Sequence, residues 1–384
     1  MSRTAGFVLV AFAFLVNMFG TTLPTPLYPL YQQRYSIGEL TVTVVFAIYA
    51  FGVIAGLLLF GKLSDAIGRK PVLAVGLALS AGSALLFVFA DSLEPIYAGR
   101  VLSGLSAGIF TGTATAALVD LAPDDKRRLA TVIAIVVNLG GLGLGSLVAG
   151  LLGDYGSSPL RLPFVLDLGL IAAAAVALAL TPETVTDRSR RFQVGRLSVP
   201  AEVRAIFIRG ATVAFAASAV AGLFGAVAPA FLDRILDEHS HALAGGLVFI
   251  LFAASVLGQL AVLKLPDRKA LLWGCMLTIA GVVLVAVALA ADSLAALIAS
   301  AALAGLGQGL AIGAGLAAIN ERAPVERRSE TASSFFVAAY VGLAVPVIGA
   351  GLAAEELGLR TAGIAFSAAV AVLVAGVLAS LVRR

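Results

Sequence analysis

The sequence predicts an all-α membrane protein, with twelve transmembrane helices arranged as two pseudo-symmetric six-helix bundles. Three observations predict it. The 384 residues are 60% hydrophobic and 12% charged, with a mean hydropathy of +1.03. The apolar residues fall into twelve long runs with short polar breaks, and markers of the first half recur about 201 residues later. A water-soluble domain of this size could not cover so much apolar surface with so few charges. Lipid removes that conflict. A spanning helix takes about 20 apolar residues, so twelve leave room only for short loops.

The runs lie at 6–28, 40–60, 71–90, 94–119, 129–152 and 160–181, then 206–231, 243–263, 270–291, 293–319, 331–353 and 359–381. They lack the alternation of a membrane barrel, and in lipid that leaves helices. The first run is too long for a signal core, has no small-x-small cleavage site and leads into Pro24, Pro26 and Pro29. It reads as an uncleaved first span.

Orientation follows from the Lys and Arg residues. Of the 26, twenty-one fall on one set of alternate segments, including Lys62, Arg69, Lys70, Lys126, Arg127 and Arg128. The same set takes in Lys264, Arg268, Lys269, Arg322, Arg327, Arg328, Arg383 and Arg384. Arg34, Arg161, Arg234 and Arg360 lie on the other side. The positive-inside rule then places both termini in the cytoplasm, in the inner membrane. The formal charge of +4 is spread over seven segments as topology signals, so no nucleic-acid surface is expected.

The chain divides into a bundle at 1–182, a cytoplasmic linker at 183–205 and a second bundle at 206–384. The linker carries Arg188, Arg190, Arg191, Arg196 and Arg204, and its alternating Phe192, Val194 and Leu197 suit a membrane surface. Three markers carry the duplication. Ala122-Pro123-Asp124-Asp125-Lys126-Arg127 recurs as Ala323-Pro324-Val325-Glu326-Arg327-Arg328. Lys62-Leu63-Ser64-Asp65 recurs as Lys264-Leu265-Pro266-Asp267, and Gly150 matches Gly351.

Cys275 is the single cysteine, so no disulfide forms within the chain. His239 and His241 are the two histidines, with Asp237 and Glu238 beside them. Solvated loop residues are the expectation there, with no metal and no cofactor.

Gly61-Lys62-Leu63-Ser64-Asp65-Ala66-Ile67-Gly68-Arg69-Lys70-Pro71 separates spans two and three. Gly61 and Gly68 suit a tight reversal with positive backbone angles, and Pro71 suits a first helical turn. Asp65 and Arg69 are close enough to pair, with Asp120 at the end of span four in reach. This loop resembles the G-x-L-[SA]-D-x-x-G-R-[KR]-x motif of the major facilitator superfamily. The resemblance implies that Asp65, Arg69 and Asp120 latch the two halves on the cytoplasmic side. The second copy lacks residues matching Gly68 and Arg69, so a latch there would be weaker.

In span four, Arg100-Val101-Leu102-Ser103-Gly104-Leu105-Ser106-Ala107-Gly108 resembles the family's R-x-x-x-G-x-x-x-G motif, which implies a part in proton transfer. Arg100 lies about 9 Å deep at 1.5 Å per residue. It either snorkels to the outer interface or pairs with Asp167, which sits at matching depth in span six. Asp167 is the one carboxylate well inside a span, so it is the candidate proton carrier. Gly141-Leu142-Gly143-Leu144-Gly145-Ser146-Leu147-Val148-Ala149-Gly150 in span five is similar to the family's antiporter motif G-x-x-x-G-P-x-x-G-G. Gly141, Gly145 and Gly150 fit, while Ser146 and Ala149 depart from it. The bland reading of the same glycines is close helix packing. Thr181-Pro182-Glu183-Thr184 resembles a common family ending after span six.

Family architecture implies a central cavity between spans one, four, seven and ten. Asn17, Thr21, Asn138, Phe224, Gln308 and Tyr340 are its candidate lining. That set is weakly polar and favours lipophilic or amphiphilic cargo. The resemblance implies a monomeric transporter working by alternating access, with proton-coupled efflux first. An importer or uncoupled facilitator comes second, and a non-transporting receptor or scaffold third. No nucleophile and base are grouped, so an enzyme is not expected.

Overall fold

The computed structural model describes residues 2–61, 63–185, 197–324 and 327–383. Lys62, Arg188, Arg190, Arg191, Phe192, Val194, Arg196, Val325, Glu326 and Arg384 lie outside them. Twelve long apolar helices are described, and no strand is found among the described residues. The first six are α1 (Arg3–Thr22), α2 (Glu39–Phe60), α3 (Arg69–Val88), α4 (Leu93–Leu121), α5 (Arg127–Tyr155) and α6 (Leu162–Leu180). The others are α7 (Arg204–Ala226), α8 (His241–Val262), α9 (Asp267–Ala290), α10 (Leu294–Arg322), α11 (Arg328–Leu357) and α12 (Leu359–Val382).

Local chemistry sets the ends of these helices. Ser2, Ser240 and Ser293 each accept a backbone N–H three residues on, at the starts of α1, α8 and α10. Spans one and seven end differently from the uninterrupted runs of the sequence. Pro24 cannot donate to the helical ladder, so α1 stops at Thr22 and the chain continues through a 3-10 turn into a short helix, Tyr28–Tyr35. Near Pro229, α7 likewise gives way to a short helix, Ala228–Arg234. The two breaks occupy equivalent places in the repeat.

The repeat is visible in the packing. Glycines let α2 and α4 touch through their backbones: a Cβ on Gly104 would come within 2.8 Å of Gly52 Cα, and one on Gly108 within 2.9 Å of Gly56 Cα. In the second half, a Cβ on Gly258 would sit 3.1 Å from Gly309 Cα, between α8 and α10. Small residues serve this purpose because lipid supplies no hydrophobic drive between helices. Aromatic pairs fill the remaining space, with Phe87 of α3 stacked on Phe164 of α6 at 4.6 Å.

Between the halves, α5 packs along α8 and α2 along α11. Ala47 and Ala50 of α2 meet Ala344 of α11, and Gly225 of α7 leaves room for the Phe46 ring of α2. Twelve spans put both termini on one face, called here the termini face. The loops after α1, α3, α5, α7, α9 and α11 form the far face.

Candidate functional site: a charged loop, a buried arginine and a buried acid

The loop between α2 and α3 folds into a short helix, Leu63–Ile67. Gly68 has φ +111°, a conformation open to glycine. Gly61 does not share it. Its φ is −57°, so it continues the helical path of α2, and the expected positive angle there is corrected. Arg69 lies 2.5 Å from Asp65 Oδ1 and donates from Nε to Asp120 Oδ2 at 3.2 Å and from Nη1 to Ser64 Oγ at 2.7 Å. Thr184 reaches Asp120 at 3.4 Å.

Glu183 completes the cluster. Its carboxylate accepts the N–H groups of Arg69 at 2.9 Å and Lys70 at 3.1 Å, the unsatisfied first donors of α3, and those of Thr184 and Val185 at 2.8 and 3.0 Å. Burial pushes this carboxyl up, but the four donors together outweigh it and hold it below its ordinary range. The sequence offered Glu183 only as part of an ending. Its cap on a helix 114 residues away is a tertiary fact. Among the described residues, the cluster's partners lie in the first bundle and at the start of the linker. In this state it fastens the loop to the ends of α4 and α6 instead of latching one half to the other, which corrects the expected cross-half contact.

Arg100 is 1% exposed, so it does not snorkel. It does not pair with Asp167 either. Its Nη1 donates to Thr21 O at 2.8 Å and its Nε to Val45 O at 3.3 Å, with the guanidinium 4.5 Å from the Tyr49 ring centre and 5.9 Å from that of Phe46. Thr21 lies in the last turn of α1, where carbonyls lack helical donors, and the aromatic faces add attraction for a cation.

Asp167 is 2% exposed, and its Oδ1 has no hydrogen-bond partner. The carboxyl lies against Gly20, where a Cβ would come within 2.5 Å of Oδ2. Both side chains meet the end of α1, but α1 packs against both α4 and α6 and presents Thr21 to the arginine and Gly20 to the acid. Gly20 passes unnoticed in the sequence because it makes room for a residue about 150 positions away.

The candidate cavity residues are less convergent. Asn17 Oδ1 lies 2.6 Å from Ser106 Oγ, which is itself 2.7 Å from Gly76 O. One hydroxyl proton cannot serve both, so the consistent arrangement turns the amide: Asn17 Nδ2 donates to Ser106, and Ser106 donates to Gly76. Asn17 thus joins α1, α4 and α3 inside the first half. The Thr21 hydroxyl donates to Met18 O at 2.7 Å. Phe224 and Gln308 are buried, with Gln308 Oε1 unpartnered, and Asn138 is half-buried. Tyr340 sits beside Thr111 and Tyr49 across the half interface.

Among the antiporter-like glycines, Gly141 seats α5 on Leu15 and Met18 of α1, and Gly145 seats it on Thr22. Gly150 faces His241 and Ala242 at the start of α8, in the other half. Two grooves lie within single halves. One, of about 460 Å³, runs between α7, α11 and residues 197–199; the other, of about 510 Å³, lies between α3 and α6. The loop histidines have local partners: His239 Nδ1 lies 2.7 Å from Asp233 and Nε2 3.3 Å from Asp237.

The family model described as Major Facilitator Superfamily matches residues 10–346. The chain belongs to the major facilitator superfamily. It is a multi-pass membrane protein of that family, with twelve helices long and apolar enough to cross a membrane among the described residues. Multidrug resistance protein MdtL of Escherichia coli is 34% identical over 126 residues, 30% of this chain and 31% of that protein. The same protein of Shigella boydii matches to the same extent, so the match spans about a third of these relatives' length. A solved bacterial homologue of the human lysosomal transporter Spinster, in an inward-facing and unoccupied conformation, superposes with a TM-score of 0.73. At 16% identity over 99% of this chain and 97% of that one, it shows a shared fold.

Proposed function

We propose that the chain works by alternating access as a proton-coupled exporter of small lipophilic or amphiphilic molecules, acting as a monomer in the inner membrane with both termini in the cytoplasm. The observation that carries the coupling is Asp167, a nearly inaccessible acid within a span, with one oxygen unpartnered and, among the described residues, no ion pair to an arginine. An ionisable group is costly inside a membrane and marks an ion path by default. A group without a fixed counter-ion is suited to exchanging a proton as its surroundings change.

One such site is enough energetically when a modest pH gradient adds to the membrane potential. A proton crossing 100 mV yields about 2.3 kcal/mol, and a 100-fold gradient of neutral solute costs about 2.8 kcal/mol. The outward direction is supported by the glycine run of α5, by the partial likeness to multidrug resistance proteins, and by the few polar groups on spans one, four, seven and ten. Arg100, held by carbonyls and aromatic rings, acts in this reading as a fixed charge of the first half and not as the partner of Asp167. The separation of Arg100 from Asp167 also supports a second reading, an uncoupled facilitator.

Proteoliposomes with an imposed pH gradient test both readings. With Hoechst 33342 as the probe, a gradient-dependent flux that Asp167→Asn abolishes supports coupling. Flux of equal size with and without the gradient, unchanged in Asp167→Asn, supports the facilitator and defeats the exporter.

A further inference from the structure

We infer that the far face carries a two-part lock, in which each half caps the first turn of a helix of the other half with a carboxylate: Asp154 on α8, and Glu355 on α2. The two caps are equivalent under the repeat. Asp154 and Glu355 stand near the far-face ends of α5 and α11 and are 201 residues apart. The N–H groups they hold, Leu40 and Ala242, are 202 apart.

At α8, Asp154 accepts the N–H of His241 on Oδ1 at 2.8 Å and that of Ala242 on Oδ2 at 2.9 Å, and Ser240 donates its hydroxyl to Oδ2 at 2.7 Å. At α2, Glu355 Oε1 accepts the N–H of Leu40 at 3.1 Å. The residue equivalent to Ser240 is Gly38, which offers α2 no side-chain cap and leaves the space the Glu355 carboxylate fills. Arg234, just after α7, adds an ion pair to Glu39 at 2.9 Å beside this cap.

The physics suits a reversible lock. The first N–H groups of a helix have no partner within it, and the helix dipole favours a negative charge there. Both carboxylates are solvent-exposed, so water replaces each bond when the halves part, and the net cost of opening stays small. Two caps on opposite sides of the pseudo-two-fold axis must release when α5 leaves α8 and α2 leaves α11. Hence they act as a unit, and they lie on the opposite face from the Arg69 cluster.

The test is a distance measurement independent of any cargo or proton. In a Cys275→Ser background, nitroxide labels on Asp91→Cys and Ala291→Cys report the far face, and labels on Lys126→Cys and Arg327→Cys report the termini face. Asp154→Ala with Glu355→Ala is expected to raise the ratio of long to short far-face distances roughly tenfold, the order expected for losing two helix caps. Each single change should give part of that rise. A far-face distribution unchanged in a folded, monodisperse double variant overturns the proposal. If that variant does not fold, Gly38→Ala decides instead, because its Cβ displaces the Glu355 carboxylate. It should reproduce the shift of Glu355→Ala and add nothing to it, and no shift in either overturns the lock.

Discussion

At the residue scale, single atoms decide what Gly68, Gly20 and His239 do. Gly68 combines a φ of +111° with a carboxylate in the place of its missing side chain, since a Cβ would come within 2.9 Å of Glu183 Cδ. Gly68→Ala therefore carries both backbone strain and a collision. It is expected to cost about 1–3 kcal/mol, measurable as a lowered unfolding temperature in detergent, and an unchanged temperature would contradict the geometry. At Gly20 an added methyl would displace the Asp167 carboxyl, so Gly20→Ala should impair transport much as Asp167→Asn does. His239 is exposed, and its bond to Asp233, reinforced by the charges of Asp233, Asp237 and Glu238, holds its pKa above the ordinary histidine value. A raised pKa means that the contribution of this pair is full at low pH and fades as pH rises through the shifted value. NMR titration of the ring should find the midpoint above about 6.5, and Asp233→Asn should bring it down.

At the scale of elements, the first turns of α2, α3 and α8 are held by carboxylates from elsewhere in the chain. For α3 the donor of charge is Glu183, whose lowered pKa gives the opposite sign to the histidine. Its contribution is present above the ordinary carboxylate range and lost as pH falls through the depressed value. Amide exchange at Arg69 and Lys70 should therefore accelerate at acid pH, and Glu183→Ala should show that faster exchange already at neutral pH. Exchange insensitive to the substitution would mean the cap contributes nothing. The helices themselves were legible, because their signal is local: about twenty apolar residues, ended by Pro24, Pro123 or a run of charges. The caps were not legible, because an acid at a helix end says nothing about which first turn, more than a hundred residues away, it meets.

On the scale of the whole molecule, the duplication governs. The α2–α4 and α8–α10 glycine crossings, the breaks after α1 and α7, and the caps by Asp154 and Glu355 all follow one spacing. Departures from symmetry stand out against it. The buried charged side chains among the described residues, Glu39, Arg100 and Asp167, all belong to the first half, while the second half buries uncharged polar groups such as Gln308, Thr278 and Ser300. Orientation can be tested at this scale. Cysteines at Lys126 and Arg327 should react with a membrane-impermeant maleimide only after the membrane is opened, and one at Ser157 should react in intact cells. The reverse pattern would turn the protein over.

Composition, periodicity and the repeat by themselves determined the solvent, the number of spans and the kinship of the two halves. Each rests on the free energy of moving apolar residues out of water, which adds up along the chain whatever the neighbours are. Only the tertiary structure decided that Arg100 bonds to carbonyls and not to Asp167, that Glu183 holds the α3 turn, and that Asp154 and Glu355 reach across the halves. Ion pairs and hydrogen bonds act over about 3 Å and depend on direction. Depth in the membrane follows from counting residues, but the rotation of each helix and the position of α1 between α4 and α6 emerge only when all twelve are packed.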